Sequence, residues 1–212
     1  MKEKPTYENR WKGCFKENGA CYYAIDIYKN IVPNVKTDRH WVALVCEQCQ
    51  DHSIVFIHNN WHPQRYEYLK KYNDLILVCS QKDTMKKVKD YGTPIYLPLS
   101  VDTEELKKYK RPKTKDTAYF GRMVKLRGIP HEPLKVGTDM ICGDREMSLK
   151  KVARYKNVYA VGRCALEAKA LGCNILPFDF RFPDPDVWEV IDNKDAAKML
   201  QKELDKIDKE KK

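Results

Sequence analysis

A short segment late in the chain carries residues that could bind an anionic ligand bearing hydroxyl groups. Gly162 precedes a stretch with the pattern of a helix, and Gly172 can supply the left-handed residue that ends it. Arg163 and Glu167 are four residues apart, so they share one face of this helix near its positive end. The alternative is a small alanine-rich helix packed on a sheet, with Arg163 and Glu167 as a surface ion pair.

One pair of cysteines has the spacing of half a zinc site. Cys46 and Cys49 form a Cys-x-x-Cys motif, with His52 close by and Cys14 and Cys21 upstream. No second pair has zinc-like spacing, so we expect Cys46 to be a strand residue and no metal to be bound.

A basic segment between residues 82 and 115 could contact a polyanion. Residues 81–135 contain 14 lysines and arginines against 7 aspartates and glutamates, and the whole chain has a formal charge of +10. Tyr91, Tyr96 and Tyr109 are interleaved with these cations, a pattern that suits a phosphate backbone. The alternative is a solvated surface, which charge runs usually form. The cations of the segment are Lys82, Lys86, Lys87, Lys89, Lys107, Lys108, Lys110, Arg111, Lys113 and Lys115.

The composition is that of a globular protein. The chain has 212 residues, of which 42% are hydrophobic and 33% charged, enough for one large domain or two small ones. No run of eighteen apolar residues occurs, and the first five residues lead into no apolar signal core. We therefore expect a soluble, cytoplasmic protein without a membrane span and with reduced cysteines.

Short apolar runs alternate with helical patterns along most of the chain, which predicts parallel sheets with ligands at the carboxyl ends of their strands. A first helix is expected over 21–31, ended by Pro33. Ser80 is expected to cap a helix that Gly92 ends. The predicted strands are 41–46, 53–58, 74–80, 94–99, 117–122, 139–143, 157–160 and 174–178. The later predicted helices are 63–72, 81–91, 103–110, 148–155, 164–171 and a long charged one within 186–212.

The polar, proline-bearing stretch after the fourth strand marks a domain boundary. We expect an N-terminal α/β domain over 1–102, a linker over 103–116, a second α/β domain over 117–185, and a C-terminal helix and tail over 186–212. Two such sheets would face one cleft.

Residues 54–178 resemble the retaining nucleotide-sugar glycosyltransferases of the two-domain GT-B fold. The segment 98–102 is similar to the family's P-x-G-V-D linker. Gly121 and Arg122, with Lys125 and Gly128, are similar to its G-R-x-x-x-x-K-G loop. Gly143 lies where the family ends a strand with glycine. The last match is the G-x-x-x-x-E-A-x-x-x-G signature, at Gly162, Glu167, Ala168 and Gly172.

This resemblance implies a fold of two small Rossmann-like domains of GT-B type, and it implies roles for individual residues. Arg122 and Lys125 would neutralise the donor's diphosphate, while Gly162 and Arg163 would present backbone amides to it. Glu167 would accept hydrogen bonds from the ribose hydroxyls. Gly121 and Gly143 would line the donor site, and His58 would make a polar catalytic contact near the transferred sugar, unless it is a loop histidine bonded to backbone.

The implied activity is transfer of a sugar, such as the glucose of UDP-glucose, to an acceptor hydroxyl with retention and without a metal or cofactor. With the basic segment 82–115, the acceptor we expect is a hydroxymethylated base in DNA, as in a viral genome modifier acting in the host cytoplasm. Lipid surfaces or small phosphorylated acceptors would use the same charge. The family pairs Glu167 with an acid eight residues earlier, where this chain has Tyr159. The alternative is therefore a non-catalytic nucleotide- or nucleic-acid-binding module on a shrunken transferase fold.

Overall fold

The chain folds into two compact α/β units. The computed structural model describes residues 19–43, 49–57, 63–121, 138–177 and 189–210. One unit contains Ala20–Leu99 together with the helix that begins at Asn193, and the other contains Ser100–Asp192. The predicted linker, 103–116, holds a short helix and the first residues of a strand.

The first unit is built on a four-stranded parallel sheet. Its strands are β1 (His40–Ala43), β2 (Ser53–Ile57), β3 (Ile76–Cys79) and β4 (Thr93–Tyr96), paired in chain order. All five residues of β2 and all four of β3 are buried, as expected for central strands of a parallel sheet. Helices α2 (Pro63–Leu69) and α3 (Lys82–Val88) connect successive strands.

Two further described helices belong to this unit. Helix α1 (Gly19–Asp26) continues as a π-helical turn (Ile27–Ile31) and a 3-10 turn (Val32–Asn34) that contains Pro33. Helix α7 (Asn193–Glu210) packs against both turns, burying Leu200 and Leu204. The last helix of the chain therefore belongs to the first unit.

The second unit has a parallel sheet with a different strand order. Its elements are α4 (Thr103–Lys107), β5 (Lys115–Phe120), β6 (Asp139–Ile141), α5 (Arg145–Val152), β7 (Tyr155–Tyr159), α6 (Arg163–Ala170) and β8 (Asn174–Leu176). The order is β6-β5-β7-β8, so consecutive strands β5 and β6 pair, and the chain then crosses to the other side of β5.

The predicted α/β class and parallel pairing are confirmed, whereas several boundaries were wrong. Helix α3 begins at Lys82 after an extended Gln81 that makes no capping bond, so Ser80 is not its cap. Gly92 lies beyond the end of α3 at Val88; a Cβ there would approach the Leu75 carbonyl oxygen to 2.7 Å, so glycine permits close packing on the chain leading into β3.

The helix expected over 148–155 begins three residues earlier. Asp144 accepts a hydrogen bond from the backbone N–H of Met147 at 2.9 Å and so starts α5 at Arg145. The cap of α4 is similar, because Asp102 accepts from the N–H of Glu105 at 2.8 Å. That helix ends at Lys107 rather than at residue 110.

Candidate functional site

The carboxyl ends of β5 and β7 form the topological switch point of the second sheet. From β5 the chain goes to β6 on one side, and from β7 it goes to β8 on the other. Ligands of open parallel sheets bind at such a point, because the connections diverge there and leave a crevice. Gly121 follows β5, and Gly162 lies between β7 and α6.

Gly162 has a backbone conformation that suits glycine alone. Its φ is +60° and its ψ −134°, and it occupies the N-cap position of α6 without any side-chain cap. Among the described residues, a Cβ placed on Gly162 would meet no atom within 4 Å. No described atom therefore covers the first turn of α6, and a negatively charged group could approach the helix start.

A glycine is needed at position 121 because a neighbouring side chain leaves no room for a Cβ, and not because of an unusual φ. A Cβ at this position would come within 2.8 Å of the hydroxyl oxygen of Tyr119, which is 1% exposed. Burial raises the pKa of Tyr119, with a smaller contribution from the nearby Cys164 and Cys142 thiols. The phenol therefore stays neutral beneath the end of β5.

Glu167 is buried, with a relative exposure of 3%, and lies at the centre of an ion cluster. Its Oε1 atom accepts from the Nε–H of Arg163 at 2.9 Å and from the Nε–H of Arg145 at 3.0 Å. Among the described residues, no hydrogen bond reaches Oε2. The Arg163–Glu167 pair expected from the sequence is present, but it is buried rather than on the surface.

Arg145 connects this cluster to α4. Its terminal nitrogens donate to both carboxylate oxygens of Glu105, at 3.0 to 3.3 Å. Burial would lower the pKa of Arg145, but the charges of Glu167 and Glu105 outweigh it and raise the pKa above the usual value. The negative charges of the two carboxylates thus equal the positive charges of the two guanidinium groups in this mostly buried site.

Sequence reasoning missed Arg145 and Glu105. An N-cap signal at Asp144 would have placed Arg145 in the first turn of a helix. No local pattern pairs it with Glu167 or Glu105, which are 22 and 40 residues away.

Only some of the other predicted site residues lie within the described ranges. Gly143 is exposed with a φ of +103° and ends the β6 segment, and Tyr159 is buried at the end of β7. His58, Arg122 and Lys125 lie outside the described residues, so their roles remain predictions.

Metal binding and membrane insertion find no support among the described residues. They contain no group of three histidine, cysteine or acidic side chains that could hold a metal ion. Cys49 is a buried thiol outside any disulfide, and Cys46 lies outside the described ranges, so zinc binding stays a hypothesis. No described helix is long and apolar enough to span a bilayer.

Comparison of the chain with protein-family models, with curated proteins and with solved structures gives no match.

Proposed function

We propose that the second unit binds a nucleoside-diphosphate sugar and that the chain is a compact retaining glycosyltransferase of GT-B type. The observation that carries this proposal is the arrangement at the switch point. There, a positive-φ Gly162 precedes the helix that bears the buried Arg163 and Glu167. A diphosphate and a ribose are the groups that such a helix start and carboxylate would recognise.

The diphosphate would lie above Gly162, facing the first turn of α6. Arg122 and Lys125, which follow Gly121 in sequence, would supply the cations that offset its charge. The leaving group of the transfer is the nucleoside diphosphate itself. Cations and helix dipoles aimed at it stabilise the charge that develops as the sugar bond breaks.

Glu167 would accept a ribose hydroxyl through Oε2, while Arg145 and Arg163 act on Oε1. Their hydrogen bonds fix the orientation of the carboxylate. Arg145 is in this role a positioning residue, and His58 remains the proposed polar contact to the transferred sugar.

The acceptor we propose is a hydroxyl on a hydroxymethylated DNA base. The proposal rests on the basic segment 82–115, although five of its ten cations bond to the protein itself: Lys86, Lys107, Arg111, Lys113 and Lys115. Lys113 donates to the carbonyls of Ala153 and Leu171, and Arg111 donates to the carbonyls of Lys108 and Lys110. Exposed cations such as Lys87 and Lys89 are better candidates for DNA contact.

Tyr159 favours a second candidate function, a nucleotide-binding module without turnover. It occupies the position at which the resembled family has its other acid, and it is 7% exposed at the end of β7. A phenol there cannot supply a carboxylate to the sugar. Binding of the nucleotide without release of its sugar would favour this candidate.

The decisive binding experiment compares two glycine variants. Gly162→Ala would place a methyl group over the first turn of α6, whereas Gly172→Ala places one at a positive φ, +81°, beyond the opposite end of the same helix. We expect nucleoside diphosphates and their sugar esters to raise the melting temperature of the native chain and of Gly172→Ala, with at least tenfold weaker binding to Gly162→Ala. Equal binding by both variants, or none by the native chain, would overturn the assignment.

Glu167→Ala is a poor probe of ligand binding. It removes the carboxylate shared by two mostly buried arginines, a change that costs about 3–5 kcal/mol of stability in comparable sites. Arg122→Gln combined with Lys125→Gln leaves the Glu167 carboxylate in place and should abolish the release of nucleoside diphosphate. Activity is then measured as release of nucleoside diphosphate and as added hexose mass on hydroxymethylated DNA, with unmodified DNA as the control.

A further inference from the structure

A groove of about 400 Å³ lies at the amino end of the second sheet. Lys115, Asp139 and Tyr155, which begin β5, β6 and β7, line one part of it. The other part comes from Met140 and Ile141 of β6 and from α5 and the turn after it, through Met147, Lys150, Lys151 and Arg154.

Four cations and one carboxylate line the groove, so its net charge is positive. Lys115 bonds to Asp139 at 3.0 Å, and Lys150 bonds to Glu146 at 2.6 Å. Lys151 and Arg154 are exposed, and within the described part of the chain neither forms an ion pair. These two side chains can therefore bind an anion without giving up an internal partner.

Two exposed methionines lie among these cations. Met140 is 43% exposed and Met147 54%, and they are two of the four large hydrophobic residues that are exposed in the described ranges. Methionine is flexible and polarisable and packs well against flat aromatic groups. The groove thus combines sites for phosphate with an apolar surface for a planar ring.

We propose that this groove binds single-stranded nucleic acid, with phosphates on Lys151 and Arg154 and an unstacked base against Met147. A duplex presents its phosphates but keeps its bases stacked, so it would leave the methionines without a contact. An acidic peptide would satisfy the cations but brings no ring at each charged unit. The chain's charge of +10 is also compatible with a polyanionic partner.

The groove is separate from the proposed nucleotide-sugar site. Lys115 begins β5 and Gly121 follows its end, so six residues of strand separate the two edges, about 20 Å. Failure of nucleotide-sugar binding would therefore leave this proposal standing, and the reverse also holds.

The test measures fluorescence anisotropy of a labelled twelve-nucleotide single strand over a range of salt concentrations. Lys151→Gln combined with Arg154→Gln should weaken binding at least fivefold. It should also lower the slope of log affinity against log salt by about 1.4, or about 0.7 for each lost phosphate contact. Met147→Ser should weaken binding about threefold with the salt slope unchanged, because it removes no charge.

The matched control is Lys156→Gln combined with Lys169→Gln. Both lysines are exposed in the same unit and line no part of the groove, and the charge change is the same. We expect this control to bind within twofold of the native chain. Equal weakening by both double variants would show diffuse charge attraction and overturn the proposal. So would tighter binding of the duplex, or of a polyglutamate peptide of equal charge.

Discussion

The Oε1 atom of Glu167 accepts hydrogen bonds from two guanidinium groups. The sequence motif that contains Glu167 predicted only one of these partners, Arg163. The spacing of Arg163 and Glu167 predicts a helical pair, which is present. The second arginine, Arg145, turns that pair into a buried cluster that extends to Glu105. A carboxylate so held cannot rotate freely, which is the pre-organisation a ligand-binding acceptor needs.

His52 lies in a second charged cluster, at the amino end of the first sheet. Its Nδ1 bonds to Asp74 at 2.6 Å and its Nε2 bonds to Asp38 at 3.0 Å, while Arg39 also contacts Asp74. His52 and Asp74 are the two described non-glycine residues with positive φ, at 60° and 52°. The hydrogen bond to Asp38, then that to Asp74, raises the pKa of His52.

This cluster predicts how stability depends on pH. A raised folded-state pKa stabilises the fold fully below the unfolded value of 6.5, and this stabilisation is lost as pH rises through the folded pKa. The pKa of Asp38 is lowered, chiefly by the same hydrogen bond, so its contribution is lost on acidification below the ordinary value of 3.8. The advantage of the native chain over His52→Asn should therefore be larger at pH 5.5 than at pH 8.5.

Urea denaturation at these two pH values measures the difference. Asparagine tolerates positive φ, so the substitution changes the charge with little added backbone strain. The effect should be small, because His52 is 44% exposed at its side chain and solvent screens the interaction. If the free energy of unfolding of the native chain and that of His52→Asn differed by the same amount at both pH values, the proposed protonation of His52 in the folded state would be contradicted.

At the scale of elements, Lys113 joins the ends of two helices. Its ammonium group donates to the carbonyl oxygen of Ala153 at 3.0 Å and to that of Leu171 at 2.9 Å, the C-caps of α5 and α6. It also contacts the Cys173 sulfur at 3.1 Å. A cation at two negative helix ends stabilises both dipoles and satisfies carbonyls that the helices leave unpaired.

Lys113→Met should therefore lower the free energy of unfolding by about 1–3 kcal/mol, because two carbonyls lose their donor. Lys110→Met is the control: Lys110 is exposed nearby, and its substitution should change stability by less than about 0.5 kcal/mol. Chemical denaturation of both variants measures the difference. Equal stability of the two would show that water replaces the ammonium group without cost.

Most helices and strands were predictable from the sequence, because each depends mainly on residues that are neighbours in the chain. Apolar runs such as Ile76–Cys79 become fully buried strands, and Gly172, with a φ of +81°, follows the last turn of α6 as expected. Errors arose at helix starts, where the capping side chain decides the boundary, as Asp144 does for α5. The Arg145–Glu105 bond lay beyond prediction because it depends on how three helices pack.

At the scale of the whole molecule, the basic residues that give the net charge of +10 have different structural roles. Arg39, Arg145 and Arg163 bond to carboxylates inside the protein, and Lys113 caps helices. Lys151 and Arg154 remain exposed in a groove. Cations that bond within the protein are therefore not evidence for a polyanionic partner. Only the exposed cations without an internal ion pair, such as Lys151 and Arg154 among the described residues, indicate one.

The path of the chain predicts that its last helix controls the stability of the first unit. Helix α7 follows the second unit in sequence but buries Leu200 and Leu204 against the helical turns of residues 27–34. Gln201 adds two hydrogen bonds to the backbone of Lys36, at 2.6 and 3.3 Å. Leu204→Ala should cost about 2–5 kcal/mol, as a buried leucine does, whereas Met199→Ala on the same helix removes a side chain that is 40% exposed and should cost far less.

Amide hydrogen exchange, read strand by strand, tests this prediction. In Leu204→Ala, protection should fall in residues 27–36 and in β1–β4, and stay near its native level in β5 and β7, because the lost packing belongs to the first unit. Met199→Ala should leave both sheets protected. An equal loss in both sheets would mean that the two units unfold as one cooperative body, and the stability of the proposed nucleotide site would then depend on a helix that makes no part of it.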